Sequence, residues 1–267
     1  MGIKIAALQM SIRDGDRDGN LEEAERLIDQ AAKEGAEVLC LPEMWPTGFD
    51  YASLLAKAEP VPGPITVFLS EKAAEKGVVI LGGSIPERDE DRVYNTAVVF
   101  GKNGGLLTSY RKMHLFTLMN EQKYLAGGDV PATFPLGDAT AAVVICYDLR
   151  FPELFRALIT RGVKIIFHPA EFPHPRLHHW RTLIQARAIE NQVFMVSTNR
   201  SGPGTGGNVF FGHSMIVDPW GEIVAEGGEA PEIVTAEIDL TLVDRVRSSL
   251  TSLEDIRRDI FSLDPRN

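Results

Sequence analysis

One order of short apolar runs and amphipathic stretches occurs twice along this chain, and that repeat restricts the fold more than any single motif. IKIAALQM (3–10) reads as a strand. The next segment opens at Asn20 with Glu23 three residues on, the spacing of a capping box. Leu21, Ala24, Leu27, Ile28, Ala31 and Ala32 then recur at helical spacing up to Gly35. EVLCLPE (37–43) reads as a buried strand running into a polar tip, and Pro64 and Gly77 bracket a second helix. VVILGG (78–83), YNTAVVF (94–100) and LLTSYRK (106–112) follow as strands, the last two joined by the hairpin turn GKNGG. The same order starts again at AAVVICYD (141–148): a helix over 152–162, the strand VKIIFHP (163–169), and a helix over 176–191 that buries Leu177, Trp180, Ile184 and Ala188. Strands over 192–199, 212–218 and 222–226 complete it, with PWG as a hairpin turn. Even the polar tips correspond, Leu-Pro-Glu at 41–43 against His-Pro-Ala-Glu at 168–171.

Two β-α-β-α-β-β-β halves bury all these runs if two similar sheets pack face to face with helices outside. The expected fold is therefore α/β, a four-layer α-β-β-α sandwich of two mixed sheets forming one domain over 1–267. A strand over 233–239 and a helix near 243–260 remain as a tail, of the kind that packs on a partner or across the domain. The chain has 267 residues, 44% of them hydrophobic, enough apolar surface for such a core. Its formal net charge of -10, with no Lys/Arg cluster to offset it, speaks against a nucleic-acid partner. No apolar run approaches the ~20 residues of a membrane helix, so no membrane partner is expected. MGIKIAALQM lacks the charged and long apolar regions of a signal peptide, and Ala6 stands where a myristoylation signal has Ser or Thr. Cys40 and Cys146 are too few for a disulfide framework, and a cytoplasmic location is expected.

Ligands of open α/β sheets bind beyond the carboxyl ends of the strands. Three strands here end in ionisable residues of complementary type: Glu43 closes EVLCLPE, Lys112 closes LLTSYRK, and Cys146 closes AAVVIC before the turn YDLRFPEL. Each alone is ordinary, since a free cysteine is usually a small buried apolar residue and a strand-end Glu or Lys is usually solvated. Cys40, flanked by Leu39 and Leu41, keeps that ordinary reading. Cys146 borders the polar Tyr147, Asp148 and Arg150, where a thiol at a strand-to-helix turn meets solvent in a cleft. The backbone N–H of Tyr147 is then available as an oxyanion site.

With those residues in view, the chain resembles the carbon–nitrogen hydrolase, or nitrilase, superfamily over nearly its whole length. LPE (41–43), YRKMHLF (110–116) and CYDLRFPELFR (146–156) are similar, in order, to its three catalytic blocks. RAIENQVF (187–194) and FGHSMIVDPWG (211–221) resemble two of its structural blocks. The resemblance implies a Glu43, Lys112, Cys146 catalytic set, and it matches a second family Glu to Glu121 in NEQKYLAGG. It also implies the four-layer sandwich and a homodimer or larger homo-oligomer. C-Y-D looks more like amidases and carbamoylases than like nitrilases, which usually carry C-W-E. HLFTLMNEQKYLAGG and WRTLIQARAIENQ resemble the ω-amidase-like branch, which cleaves the terminal amide of dicarboxylic acid monoamides such as α-ketoglutaramate. One departure is His168, where many members carry Asn before the Pro.

The implied chemistry is acyl transfer to a small-molecule amide through a thioester on Cys146, with Glu43 as the base, Lys112 and the Tyr147 N–H at the oxyanion, and Glu121 holding Lys112 or the substrate amide. An N-carbamoyl amino-acid hydrolase is the alternative within that chemistry, and a catalytically silent assembly module is the alternative outside it. No cofactor and no metal are expected. His174, His178 and His179, with Glu171 nearby, suggest zinc only if His174 and His178 share a helix face, and Pro175 places His174 before the helix. His114, beside Lys112, is expected to be structural. The turn Asp14–Gly19 lacks the spaced ligands of a calcium loop and reads as solvated. GPGTGGN (202–208) reads as a mobile loop near the pocket mouth. A substrate carboxylate would call for an arginine, for which Arg176, past Phe172 and Pro173, is the candidate beside its alternative as a surface residue.

Overall fold

The computed structural model describes residues 2–260. In the first half, β1 (Ile3–Gln9), α1 (Arg17–Lys33), β2 (Val38–Cys40), α2 (Tyr51–Lys57), α3 (Pro64–Lys76), β3 (Val79–Asp89), β4 (Arg92–Phe100) and β5 (Leu106–Arg111) follow in order. Strands β1, β2 and β3 are parallel, and β4 and β5 continue the sheet antiparallel. The second half runs β6 (Ala132–Leu136), β7 (Ala139–Val143), α4 (Pro152–Ile159), β8 (Val163–Ala170), α5 (Leu177–Asn191) and β9 (Phe194–Asn199). The ribbon of β10 (Ser201–Pro203) and β11 (Val209–Phe211) comes next, then β12 (Met215–Val217) and β13 (Ile223–Glu226). Here β7, β8 and β9 are parallel, with β12 and β13 antiparallel beyond them. The tail consists of β14 (Glu232–Ile238) and α6 (Thr241–Ser249).

Two six-stranded sheets result, β14-β1-β2-β3-β4-β5 and β13-β12-β9-β8-β7-β6. Strand alternation assigns the layers. Val38 and Cys40 on β2 join the core between the sheets, whereas Leu39 faces Leu27 and Ile28 of α1 and Ile65 and Leu69 of α3. On the far side, Leu154 and Phe155 of α4 and Trp180 and Ile184 of α5 cover the second sheet. The expected α-β-β-α sandwich is thus the observed fold. No helix among the described residues is long and apolar enough to cross a membrane.

Several boundaries differ from expectation. The repeat is more complete than the apolar runs suggest, because β6 adds an antiparallel edge beside β7 just as β14 does beside β1. Pro135 hides β6 in the sequence, yet on an edge strand the missing N–H can face solvent, and Pro135 is exposed. Helix α1 begins before Asn20: Asp16 is its N-cap, accepting from Gly19 N at 3.1 Å. Asn20 is buried inside the helix, where Nδ2 donates to Arg13 O and Pro46 O. EVLCLPE is strand only over Val38–Cys40, after which the chain turns. Helix α6 stops at Ser249, and the stretch beyond it to 260 presents mostly exposed side chains to no core. The 202–208 segment is held in the β10–β11 ribbon, with Thr205 N donating to Asp14.

Candidate active site

Strand direction explains how distant residues meet. Two antiparallel steps separate β5 from β3, so β5 runs in the same sense as β2, and Glu43 and Lys112 emerge at one edge of the first sheet. Parallel β7 and β8 deliver Cys146 and Glu171 at one edge of the second. Beyond β2, the chain reverses at once: Met44 has a φ of 43°, its N–H donates to Ser84 Oγ at 2.9 Å, and Trp45 Nε1 donates to Gly82 O at 2.8 Å. Gly83, in a bulge of β3, permits this approach, since a Cβ there would collide with the Pro42 carbonyl oxygen.

The structure brings Glu43, Lys112 and Glu121 into direct contact. Lys112 Nζ donates to Glu43 Oε1 at 2.8 Å and to Glu121 Oε1 at 2.7 Å, with all three side chains buried. Asn95 Nδ2 donates to the same Glu43 oxygen at 2.7 Å, and Glu171 N donates to Glu43 Oε2 at 2.9 Å. Glu121 opens a short 3-10 turn, where Oε2 accepts from Phe116 N at 2.8 Å. Burial pulls the Lys112 ammonium down, but the charges of Glu121 and Glu43 outweigh it and hold this group well above its ordinary value. Lys112 is therefore a fixed cation. Burial pushes Glu121 up, with Lys112 opposing and Glu43 reinforcing the shift.

Cys146 lies in the field of all these groups. Burial, then the negative charge of Glu43, pushes its thiol well above the ordinary value, while Lys112 pulls it the other way. A resting thiol of this kind needs a base to become a nucleophile. Cys146 has a φ of 44° and begins the 3-10 turn Cys146–Arg150, a sharp strand-to-helix elbow. Five contacts hold that elbow. Asp148 Oδ2 accepts from Ile145 N at 2.8 Å and from Tyr110 Oη at 2.8 Å. Asp148 Oδ1 accepts from His114 N at 3.1 Å and lies 2.7 Å from His114 Nδ1. His168 Nε2 lies 3.0 Å from the Cys146 carbonyl, which can only accept, so this nitrogen carries the proton and Nδ1 faces Ser197 Oγ at 3.2 Å as acceptor. Burial pulls His168 down to about 4, so it braces the elbow as a neutral ring. Cys146 itself is 7% exposed, at the floor of the cleft rather than open to solvent as the polar turn suggested.

Phe116, Tyr147, Phe172, Glu171, Arg150 and Arg176 line the narrow cleft above it. The Phe116 and Tyr147 rings are 4.7 Å apart. Arg150 stands 5.3 Å over Phe172 and Arg176 5.8 Å over Phe116, and neither guanidinium has a carboxylate partner among the described residues. Tyr147 is the second residue of its 3-10 turn, where helical N–H groups have no partner within the helix. Of the residues singled out in the sequence, Cys146, Tyr147, Phe172 and Arg176 line this cleft, and Glu43, Lys112 and Glu121 form the buried cluster whose charges act on Cys146. His114 belongs to the Asp148 brace and stacks on Phe151 at 3.7 Å. His174 precedes α5, and no group of three or more His, Cys, Asp or Glu among the described residues is placed to hold a metal ion.

Sequence reasoning passed over Asn95, Asp148, and the Glu171–Arg200–Asp14 chain of charges. Arg200 Nη1 donates to Glu171 Oε2 at 2.8 Å and to Asp14 Oδ1 at 2.9 Å, so Asp14 is an ion-pair member and not part of a solvated turn. Burial pushes Glu171 up to about 8 against the pull of Arg200.

The sandwich and the chain as a whole have known counterparts. The carbon–nitrogen hydrolase family matches residues 4–248. The chain belongs to that family. Among its members, 2-oxoglutaramate amidase of Bacillus subtilis (strain 168) is 43% identical over 257 residues, covering 96% of this chain and 98% of that protein. Omega-amidase NIT2-A of Xenopus laevis is 36% identical over 255 residues, covering 92% of each. The crystal structure of Saccharomyces cerevisiae Nit3, a member of branch 10 of the nitrilase superfamily, superposes with a TM-score of 0.89 at 31% identity, over 97% of both chains. Family membership makes the chain a hydrolase of carbon–nitrogen bonds.

Proposed function

We propose that this hydrolase cleaves the ω-carboxamide of a dicarboxylic acid monoamide such as α-ketoglutaramate, giving the carboxylate and ammonia. The observation that carries the reading is the Lys112 ammonium clamped between Glu43 and Glu121, with the Cys146 thiol in the same buried field. The names of the B. subtilis and X. laevis relatives point to the same substrate class. The unpaired Arg150 and Arg176 at the cleft suit the far carboxylate of such a molecule.

In this mechanism Glu43 takes the proton from Cys146 as the sulfur attacks the amide carbon. The carbonyl oxygen becomes an oxyanion between Lys112 and the Tyr147 N–H, where losing one such donor typically costs about 100- to 1000-fold in rate. The C–N bond then breaks, and the nitrogen leaves as ammonia with the proton from Glu43. Water adds to the thioester, giving a proton to Glu43 and its oxygen to the carbon. As the C–S bond breaks, Glu43 returns that proton to sulfur. Glu121 holds Lys112 in place throughout. Neither a metal nor an organic cofactor enters, and the reading places the enzyme in the cytoplasm as a homodimer or larger homo-oligomer.

An ammonia-release screen over α-ketoglutaramate, α-ketosuccinamate, glutamine, N-carbamoyl amino acids and simple nitriles tests it. The keto-acid monoamides should give the highest kcat/KM, and Cys146→Ala should abolish turnover with little change in thermal unfolding. Preference for a carbamoyl amino acid would overturn the substrate assignment, and turnover by Cys146→Ala would overturn the thioester.

A further inference from the structure

Glu171 borders the cleft beside Cys146, and its Oε1 is buried with no hydrogen-bond partner. Buried carboxyl oxygens are rarely left so, and one at a cleft marks the place of an absent donor. The rest of the side chain is fixed. Oε2 accepts from Arg200 Nη1 at 2.8 Å, and Arg200 is in turn held by Asp14, by Ile12 O at 2.6 Å and by Pro203 O at 2.9 Å. Glu171 thus cannot swing to satisfy Oε1 elsewhere without giving up the Arg200 pair. Its position along the reaction is set by its main chain, because Glu171 N donates to Glu43 Oε2 at 2.9 Å. Glu43 is the group that must hand a proton to the departing nitrogen, so the orphaned oxygen belongs to the residue adjoining that nitrogen's path. Arg150 and Arg176 offer the cleft only donors. An acceptor next to the base therefore complements a substrate group that carries N–H.

We propose that Glu171 Oε1 accepts an N–H of the scissile carboxamide, which makes Glu171 a specificity-determining residue that favours primary amides over the corresponding esters. This rests on the amidohydrolase reading above. Burial, reinforced by the charges of Glu43 and Asp14 and opposed by Arg200, pushes this carboxyl up to about 8, and an N–H arriving at Oε1 favours the charged form and works against that push.

The test compares α-ketoglutaramate with the ω-methyl ester of 2-oxoglutaric acid at pH 8.5, in wild type and in Glu171→Gln. The Arg200 N–H keeps the glutamine oxygen on the Oε2 side, so the glutamine N–H₂ takes the place of Oε1 and an acceptor becomes a donor. For the amide, kcat/KM should fall about 10- to 100-fold, while the ester, with no N–H to offer, should stay within about threefold. Glu171→Asp, which keeps the charge but withdraws the oxygen by one methylene, should show the same selective loss and serves if the glutamine variant does not fold. Equal losses on both substrates, or no loss on the amide, would overturn the assignment and leave the amidohydrolase reading standing. Wild type that cleaves the ester but not the carboxamide would overturn both.

Discussion

Replacing Asp148 by asparagine should break the brace that holds the Cys146 elbow against the Lys112 segment. The carboxylate lies against four groups: Tyr110 Oη and Ile145 N on one oxygen, His114 N and Nδ1 on the other. Asparagine has one oxygen and one N–H₂. If the N–H₂ takes the Oδ2 position it opposes the Ile145 N–H, and if it takes the Oδ1 position it opposes the His114 N–H. Either orientation leaves a backbone donor facing a donor, an outcome costing about 1–3 kcal/mol, and the charge-assisted bonds weaken by a similar amount. The sum, about 2–6 kcal/mol, corresponds to a fall in Tm of about 4–24 °C at about 2–4 °C per kcal/mol for a large domain. Catalysis should suffer separately, because Tyr110 and His114 flank Lys112 while Ile145 precedes Cys146. A shift of about 1 Å between nucleophile and cation costs about 100-fold in kcat/KM. Differential scanning calorimetry and amide turnover measure the two effects. A double-mutant cycle with Tyr110→Phe should be non-additive, since both changes strike the same oxygen. An asparagine variant whose Tm lies within about 1 °C of wild type, with turnover within about threefold, would refute the brace.

Two further outcomes follow from the buried charges. Lys112→Met removes the cation that opposes the upward push of burial and of the Glu43 charge on Glu121, so Glu121 holds its proton more tightly in the folded protein than in the unfolded chain. Stability should then be highest below the ordinary carboxylate range and fall as pH rises through the elevated folded value, by about 3–5 kcal/mol, whereas a thermal-unfolding profile parallel to that of wild type would contradict the pairing. Iodoacetamide should alkylate Cys146 at least about tenfold faster than Cys40, because Cys146 borders the cleft with Glu43 in place to take its proton, whereas Cys40 is fully buried and has no base beside it. Equal labelling, read by peptide mass spectrometry, would mean that Cys146 is not presented to the cleft.

The fold was legible where burial is continuous. Runs such as VVILGG, and VKIIFHP apart from Lys164 and His168, are apolar on successive residues because sheets and helices cover both faces, and their order implies two sheets back to back. Legibility failed at edges and caps. Strand β6 carries a proline that only an edge tolerates, and α1 is capped by Asp16, four residues before the expected opening at Asn20. In both places the deciding factor is which neighbour is missing, and periodicity does not record that.

The site divides along the same line. Glu43, Lys112 and Cys146 were readable as a set, because three strands end in ionisable groups of complementary type and fall in order within blocks that resemble the family's, although each alone is ordinary. Their supports carry no such mark. Glu171 meets Glu43 across 128 positions, and Asp14 meets Arg200 across 186. Each of these residues sits in a polar stretch of the sequence and resembles a surface residue until the sheets close. The physical content is in the closure: burial turns a polar loop residue into a group whose every lone pair must be answered. At Asp148 all of them are answered within the protein, and the residue serves as a brace. At Glu171 one is not, and an oxygen left bare beside the base is explained if the missing donor arrives with the substrate.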